Sequence, residues 1–333
     1  MPEWRVQLAV FALSAIVSLA ASVLLVSRLE RVGERLGLSE GLLGLVAALA
    51  ADGPEITSSV TAIVRGHGTV GVGVVLGSNL FNLAALLGLS AIVAGRVQFH
   101  RRVLVLEGAL GLWISLVALA TVAGNLAPAA GLVLGLVGFV PYVALSAARP
   151  TTRLRVRLPR LWSVWLARAF AEEELELAAA IHPRRGDRRD AVVSGLAVVI
   201  VVVASAAMEQ TATDLGAQAG LSAIVVGGLI LAAVTSLPNA VAGVYLASRG
   251  RGTATLSIAL NSNALNVIVG LLVPATILGI GAPSADRVLV VAGYVLLTAA
   301  TVVLAIRGRG LGRRAGVVIV ASYIVFAAVL ATQ

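Results

Sequence analysis

The sequence has no cysteine, no lysine and few charged residues, and each absence excludes a class of protein or site. Without cysteine there is no disulfide bridge and no thiolate metal site, and the three histidines are scattered, which argues against a zinc site. Charged residues make up 12% of the chain and hydrophobic residues 59%, whereas a soluble domain carries about 25% charged residues. Such a chain cannot cover a water-facing surface of its size, so soluble, disordered and fibrous proteins are excluded. A polytopic helical membrane protein remains.

Ten apolar runs are long enough to cross a bilayer as helices, which takes about 17–25 residues each. They are 6–27, 41–64, 70–94, 103–123, 126–147, 191–208, 221–248, 254–280, 287–306 and 315–331. The first run is too long for the apolar part of a signal peptide and is preceded by a single arginine, so we interpret it as a membrane helix.

The distribution of arginine predicts how these helices are oriented. All 25 basic residues are Arg, and with the N-terminus outside 22 of them fall in inside loops. Basic residues in short loops mark the cytoplasmic side, so we expect both termini outside and the Arg-rich loop 148–190 in the cytoplasm. The net charge of +9 is then a topology signal, and we expect no nucleic-acid partner. Arginine without lysine is typical of a GC-rich genome and indicates a prokaryotic plasma membrane.

The sequence contains an internal repeat. Residues 41–89 and 225–273 align without gaps at an offset of 184, with 14 of 49 positions identical, among them Pro54 with Pro238. A match of this length indicates duplication. Five predicted helices precede the central loop and five follow it, so the second half enters the membrane from the opposite side, as in the inverted repeats of secondary transporters.

We therefore predict an all-α polytopic membrane fold with ten helices in two inverted repeats of five. The predicted parts are a first repeat at 1–147 with its core at 41–94, a linker at 148–190, and a second repeat at 191–333 with its core at 221–280. The substrate site is expected at the repeat interface, near the bilayer midplane. Within the linker, residues 160–181 predict a charged helix lying at the membrane surface.

Charged and structure-breaking residues inside the second predicted helix identify the first half of a candidate site. Pro54 has no N–H, so the carbonyl of Ala50 loses its helical donor, and Gly53 allows the backbone to unwind. The result is a predicted break at mid-membrane, with a free carbonyl oxygen beside the carboxylates of Asp52 and Glu55. Polar groups at that depth are expensive and indicate function.

The second copy offers neutral oxygen atoms at the equivalent place. Pro238 leaves the carbonyl of Val234 without a donor and predicts a second break, and the following helix of each copy carries a serine and an asparagine four residues apart on one face. Oxygen atoms of these kinds are ligands of hard cations, so we predict a cation site. Its candidate ligands are Asp52, Glu55, Asn82, Asn239, Asn266, Ser236, Thr235, Ser78, Ser262 and the carbonyls of Ala50 and Val234.

Three further polar residues receive a plainer interpretation. We interpret Asn79 and Asn263 as residues that pack membrane helices together. Glu107 lies near the start of its helix, where an acid complements the helix dipole.

The motifs of the two copies resemble the two alpha repeats of the sodium/calcium exchanger, or calcium/cation antiporter, superfamily. They are Gly53-Pro54-Glu55 with Gly77-Ser78-Asn79-Leu80-Phe81-Asn82, and Thr235-Ser236-Leu237-Pro238-Asn239 with Ser262-Asn263 and Asn266. The resemblance implies calcium and sodium binding at mid-membrane, with the first and sixth helices sliding past the core during alternating access. It also implies an acid after each proline and a serine at position 52. Here Asn239 follows the second proline and Asp52 replaces the serine, so both acids lie in one repeat.

We therefore expect a secondary antiporter, with calcium as the leading substrate and sodium or protons as the counter-ion. A transporter of the same fold that moves another cation, with protonation of Asp52 or Glu55 as the coupling event, stays open, as does a cation channel. An intramembrane enzyme is not expected, because no histidine lies at mid-span and no nucleophile–base pair is evident. The expected partners are the lipid bilayer and inorganic cations, without a cofactor; the oligomeric state is not predicted.

Overall fold

The computed structural model describes residues 3–148, 159–180 and 186–332. Its α-helices are numbered here in chain order. They are α1 (Glu3–Leu36), α2 (Glu40–Ala51), α3 (Gly53–Val64), α4 (Gly68–Asn82), α5 (Ser90–Ala94), α6 (Arg101–Val122), α7 (Pro128–Ala147), α8 (Arg160–Ala180), α9 (Arg188–Gln218), α10 (Ala223–Val225), α11 (Ala232–Ser248), α12 (Gly252–Leu265), α13 (Val273–Leu278), α14 (Ala285–Gly308) and α15 (Arg313–Leu330). The π-helical turns Leu83–Leu89, Val226–Leu231 and Asn266–Leu272 join α4 to α5, α10 to α11 and α12 to α13.

The predicted all-α membrane architecture is confirmed. Nine helices of the described chain are long and apolar enough to cross a membrane. The tenth predicted helix, 41–64, is present as α2 and α3, two pieces of 12 residues each. Each repeat therefore contributes five membrane segments. Residues 149–158 and 181–185 of the predicted linker lie outside the described residues, and the predicted domain limits stay predictions.

Two short strands add a feature that the sequence did not predict. The strands β1 (Arg96–Val97) and β2 (Leu311–Gly312) pair antiparallel. Strand β1 lies between α5 and α6 of the first repeat, and β2 lies between α14 and α15 of the second, so their pairing joins a loop of each half.

Helices α1 and α9 are the first helices of the two repeats, and they pack against each other. They have 34 and 31 residues, whereas 6–27 and 191–208 were predicted, because an apolar-run criterion stops at the first charged residues. The charged extensions are helical because they pair: Arg28 bonds Asp190 at 2.7 Å, and Asp187 and Asp190 form a capping box at the start of α9. Deeper in the membrane, the hydroxyls of Ser18 and Ser205 meet at 2.6 Å.

The centre of the molecule is a close contact between α4 and the π-helical turn Val226–Leu231 of the other repeat. A Cβ atom on Gly73 would lie 2.8 Å from the Gly228 nitrogen, and one on Gly77 would overlap the Gly228 carbonyl. Small residues let membrane helices approach to backbone contact. The glycines therefore set the distance between the two repeats.

The predicted break at Pro238 is wrong, because α11 is continuous through that residue. The second copy has Leu237 where the first has Gly53, so the backbone lacks the residue that relaxes most easily. The helix departs from α geometry earlier instead, in the π-helical turn that contains Gly227 and Gly228. The break predicted near Pro54 is confirmed, with Asp52 between α2 and α3 at φ −80° and ψ 0°.

The linker helix α8 packs against α2, α6 and α12. Ala169, Phe170 and Glu173 on this helix are at most 2% exposed. The predicted helix at 160–181 is therefore present, with this face docked on the membrane core, and its position at the membrane surface stays a prediction.

Candidate functional site

A serine on α1 replaces the hydrogen-bond donor that is missing at the break before α3. The missing N–H of Pro54 leaves the carbonyl of Ala50 without its usual donor. The Ser22 hydroxyl donates to the Ala50 carbonyl at 3.0 Å and also lies 3.2 Å from that of Ala51. Ala50 therefore does not present a bare carbonyl, contrary to our expectation, although its role as a ligand stays a prediction. Ser22 was missed from sequence; a serine pair four residues apart, Ser18 and Ser22, was the available signal.

The break places Asp52 and Glu55 against the second repeat. Asn239 Nδ2 donates to Asp52 Oδ1 at 2.9 Å, and the Ser262 hydroxyl donates to the same oxygen at 2.5 Å. The Ser236 hydroxyl donates to Glu55 Oε1 at 3.0 Å. All five side chains are at most 4% exposed. The structure thus brings together acids of one repeat and neutral polar groups of the other.

These contacts are crossed with respect to the internal repeat. At the offset of 184, Asp52 corresponds to Ser236 and Glu55 corresponds to Asn239. Each carboxylate hydrogen-bonds the residue equivalent to the other carboxylate. The two contacts are therefore related by the pseudo-twofold axis between the repeats, and each contains one acid.

Four asparagines form the frame around this axis. Asn79 Nδ2 donates to the Asn263 carbonyl and Asn263 Nδ2 to the Asn79 carbonyl, both at 3.1 Å. Asn82 Nδ2 donates to Asn263 Oδ1 at 3.1 Å, and Asn266 Nδ2 to Asn79 Oδ1 at 3.3 Å. The packing role predicted for Asn79 and Asn263 is confirmed. Because their amides are used in the frame, the side-chain oxygens of Asn82 and Asn266 are left for another partner.

Five buried oxygen atoms around the frame have no hydrogen-bond partner within the described residues. They are Asp52 Oδ2, Glu55 Oε2, Ser78 Oγ, Asn82 Oδ1 and Asn266 Oδ1. Buried polar atoms are nearly always paired, so each such atom calls for an explanation. Asp52 and Glu55 are also without a salt bridge to any described basic residue. Two buried carboxylates without a cationic partner are expensive, and a bound cation or a proton would neutralise them.

Thr235 and Val234, two of the predicted ligands, make no contact with these five oxygen atoms among the contacts of the described residues. The Thr235 hydroxyl donates to the carbonyls of Leu231 and Ala232 in its own helix, at 2.9 and 3.3 Å. Val234 packs among apolar side chains next to the site. Both stay predictions as ligands. No described group of three or more His, Asp or Glu residues could hold a metal, so a cation here would need the amide and hydroxyl oxygens as well.

Comparison with known proteins places the fold in one family. The family described as "Sodium/calcium exchanger protein" matches residues 6–149 and 190–332. Among solved structures, the H+/Ca2+ exchanger CAX superposes with a TM-score of 0.71 at 14% identity, over 98% of this chain and 86% of that one. The sodium–calcium exchanger NCX_Mj superposes with a TM-score of 0.62 at 20% identity, over 97% and 98% of the two chains.

Curated relatives match mostly over short stretches. The human sodium/potassium/calcium exchanger 4 is 40% identical over 73 residues, which is 22% of this chain and only 12% of that protein. The putative antiporter CaxA of Alkalimonas amylolytica is 36% identical over 77 residues, 23% of this chain and 24% of that protein. The inner membrane protein YrbG of Escherichia coli strain K12 is 27% identical over 244 residues, 72% of this chain and 70% of that protein. The family match covers most of the sequence, so the chain belongs to the sodium/calcium exchanger protein family, a family of membrane transporters.

Proposed function

We propose that this chain is a secondary antiporter that exchanges calcium for sodium ions or protons at the site around Asp52 and Glu55. The carrying observation is the group of five buried oxygen atoms, from α3, α4, π-helical Asn266 and the α2–α3 junction, that have no hydrogen-bond partner in the described structure. Carboxylate, amide and hydroxyl oxygens together form the ligand set of a hard cation. The proposed ligands are Asp52, Glu55, Ser78, Asn82, Asn239 and Asn266, with Ser236, Ser262, Thr235, Ala50 and Val234 as further candidates.

Charge favours a divalent ion. Asp52 and Glu55 carry two negative charges when ionised, and no described basic residue pairs with them. One divalent cation balances them, and two sodium ions or two protons could take its place in the exchange step. Burial disfavours ionised carboxylates in general, which makes protons chemically acceptable counter-ions. The names of the H+/Ca2+ exchanger CAX and the sodium–calcium exchanger NCX_Mj show that both exchange modes occur on this fold.

Alternating access would use the pair α1 and α9. These helices contact each other, and both touch the site region: Ser22 of α1 bonds the carbonyl of Ala50, and a Cβ on Gly53 would lie 3.1 Å from Val201 of α9. For the pair to move as a unit past α2 and α3, the hydrogen bond from Ser22 to the Ala50 carbonyl must break. We propose that this bond belongs to one of the two access states.

The experiment is uptake of radiolabelled calcium into proteoliposomes. An outward sodium gradient, an outward proton gradient and no gradient are compared at equal calcium concentration. The proposal predicts uptake above the no-gradient level with at least one of the two gradients, and none for vesicles containing Glu55→Gln. Equal uptake with and without gradients would indicate a channel. Gradient-driven uptake of another labelled cation, without calcium uptake, would favour the proton-coupled alternative.

We further propose the orientation that the arginine count predicts, with the linker in the cytoplasm. The chain lacks cysteine, so single cysteines can be introduced at Leu175 on α8 and at Asp214 on α9. A membrane-impermeant maleimide added to intact cells should label Asp214→Cys and leave Leu175→Cys unlabelled until the membrane is opened. The reverse pattern would refute the orientation.

A further inference from the structure

A second group of buried polar side chains lies between the linker helix and the membrane core. Glu107 comes from α6, Tyr142 from α7, Glu173 from α8, and Ser257 and Asn261 from α12; each is at most 6% exposed. Glu107 is the seventh residue of α6, beyond the first turn, so our interpretation of it as an acid that complements the helix dipole is wrong. It points into the protein instead.

The tyrosine hydroxyl is the centre of this group. It lies 2.8 Å from Glu173 Oε1 and 3.3 Å from Glu107 Oε1, and it accepts a hydrogen bond from Asn261 Nδ2 at 2.9 Å. A tyrosine hydroxyl has one hydrogen and two lone pairs. The shorter contact, to Glu173, takes the hydrogen, and Asn261 takes one lone pair. The contact with Glu107 is then a hydrogen bond only if the Glu107 carboxyl carries a proton and donates it to the tyrosine oxygen.

The second carboxyl oxygen of Glu107 also has no cationic partner. Its Oε2 atom has no hydrogen-bond partner within the described residues, and the neighbouring polar group is the hydroxyl of Ser257. An ionised Glu107 would be a buried charge without a cation, which is costly.

Among the described residues, no cationic group faces Glu107. Glu173 on α8 is the charged side chain that faces it, Tyr142 on α7 is the other titratable group, and α12 presents the neutral pair Ser257 and Asn261. Helix α14 also packs on α6, and it places the apolar Val302 against Gly108. Arg102, at the start of α6, is paired with Glu172 on the linker helix.

The shared fold does not require these polar groups. At the repeat offset of 184, Ser257 and Asn261 correspond to Gly73 and Gly77, which make the close backbone contact in the first repeat. The second repeat therefore uses the same two positions for a polar group that reaches the linker helix through Tyr142.

The same contacts fasten the linker helix. The Phe170 ring contacts the Tyr142 ring with centroids 5.6 Å apart and planes tilted by 40°, and Ala169 beside it is fully buried. Helix α8 thereby bridges α2, which ends next to Asp52, and α12, which carries Ser262. Docked α8 therefore contacts one helix of each repeat, and each of these two helices carries or adjoins a residue of the candidate cation site.

We propose that Glu107, Tyr142 and Glu173 form a proton-binding site, separate from the cation site, whose proton fastens the linker helix to the membrane core. When Glu107 releases its proton, a carboxylate without a cationic partner among the described residues is left buried beside Tyr142 and Glu173. The burial of this new charge favours separation of α8 from α6 and α7. This proposal does not depend on the ion that the protein transports.

The test measures the distance between α8 and the core as a function of pH. Spin labels are attached in the otherwise cysteine-free chain at Leu175→Cys on α8 and at Gln98→Cys next to β1, both at exposed positions. Double electron–electron resonance is recorded on full-length protein in lipid nanodiscs, in the presence of a calcium chelator. We expect one short distance at mildly acidic pH and a longer population that grows at alkaline pH. For a single proton the docked-to-separated ratio changes by at most about tenfold per pH unit.

Glu107→Gln is the decisive variant, because its amide can donate to the Tyr142 oxygen and cannot ionise. We expect the short distance at every pH. Glu172→Gln changes the neighbouring residue of α8, which pairs with Arg102 and not with Tyr142, and is the matched control. Loss of that ion pair lowers the docked fraction at every pH, but the dependence of the docked fraction on pH should persist. A parent distance that does not change with pH, a parent-like transition in Glu107→Gln, or a short distance that requires calcium instead of acid would each overturn the proposal. If Glu107→Gln does not fold, Tyr142→Phe replaces it: loss of the hydroxyl should reduce the docked fraction at acidic pH, and an unchanged transition would contradict the proposal.

Discussion

The two copies of the repeat core share a polar frame and differ in where they carry charge. Asn79 and Asn263 bond each other reciprocally, and Asn82 and Asn266 extend the frame on both sides. Both acids, however, belong to the first copy. The crossed contacts explain how this is possible: an acid moved from position 239 to position 52 stays within one contact of 2.9 Å between the copies. The charge can change repeat while remaining at the same place in the molecule.

The copies also differ in backbone. The first has Gly53 before its proline and is divided there, with Ser22 of α1 as a substitute donor. The second has Leu237 at that place and stays helical through Pro238. The first copy, whose helix is divided, therefore carries both acids. It is also the copy that hydrogen-bonds α1, one of the two helices that we propose to move during alternating access.

Removing the glutamate of the first copy should have the largest effect. Glu55→Gln deletes one of the two charges that face a divalent ion, and a pair of unit charges about 4 Å apart is worth about 4 kcal/mol at an effective dielectric constant of about 20. This corresponds to nearly three powers of ten in Kd. We expect calcium uptake to be abolished, while the exposed Glu3→Gln keeps parental uptake. Substantial calcium uptake by Glu55→Gln would place the ion elsewhere.

Adding one methyl group at the contact between the copies should have the next largest effect. A Cβ on Gly77 would overlap the Gly228 carbonyl, whereas a Cβ on Gly195 would meet nothing within 4 Å. We expect Gly77→Ala to destabilise the folded protein by about 1–3 kcal/mol or more and Gly195→Ala to be near neutral. Thermal unfolding in detergent measures both. Equal melting temperatures for the two variants would show that the repeats are not in backbone contact here.

The smallest effect is expected at the contact between the equivalent helices α1 and α9. Interhelical hydrogen bonds in membranes contribute about 0.6 kcal/mol on average, and Ser18 and Ser205 are joined by one such bond at 2.6 Å. A double-mutant cycle with Ser18→Ala and Ser205→Ala should give a coupling energy of that order. Additive effects of the two changes would mean that the hydroxyls do not bond, and that α1 and α9 are held by packing alone.

Much of the fold follows from the sequence, because hydrophobic length and an exact repeat offset are strong signals. The ranges of the membrane helices were predicted to within a few residues except for α1 and α9, whose charged ends become helical through contacts such as Arg28 with Asp190. Such contacts are formed between distant parts of the chain and leave no local pattern. The π-helical turns were missed for a similar reason, since they depend on packing between the repeats.

The residues of the candidate site were likewise predictable from the sequence, whereas their pairing was not. Asp52, Glu55 and the asparagines stand out because polar residues inside apolar runs are rare. The crossed pairing of Asp52 with Asn239, and of Glu55 with Ser236, could not be predicted, because it depends on how the two copies meet. The second polar group was missed because Glu107, Tyr142 and Glu173 lie on three different helices, and each alone has a plain interpretation near a helix end or in a charged linker.

The central claim is that Asp52 provides, across one contact, the charge that the resemblance implies at position 239. Isothermal titration calorimetry of calcium into the purified parent, Asp52→Ser, and Asp52→Ser with Asn239→Glu tests it most directly. The double variant would have a serine–glutamate contact, equivalent by the repeat to that of Ser236 with Glu55. We expect Asp52→Ser to bind calcium at least about a hundredfold more weakly than the parent, from the loss of one charge near the ion, and the double variant to recover at least tenfold of that loss. Parental calcium affinity in Asp52→Ser, or no recovery in a folded double variant, would contradict the account.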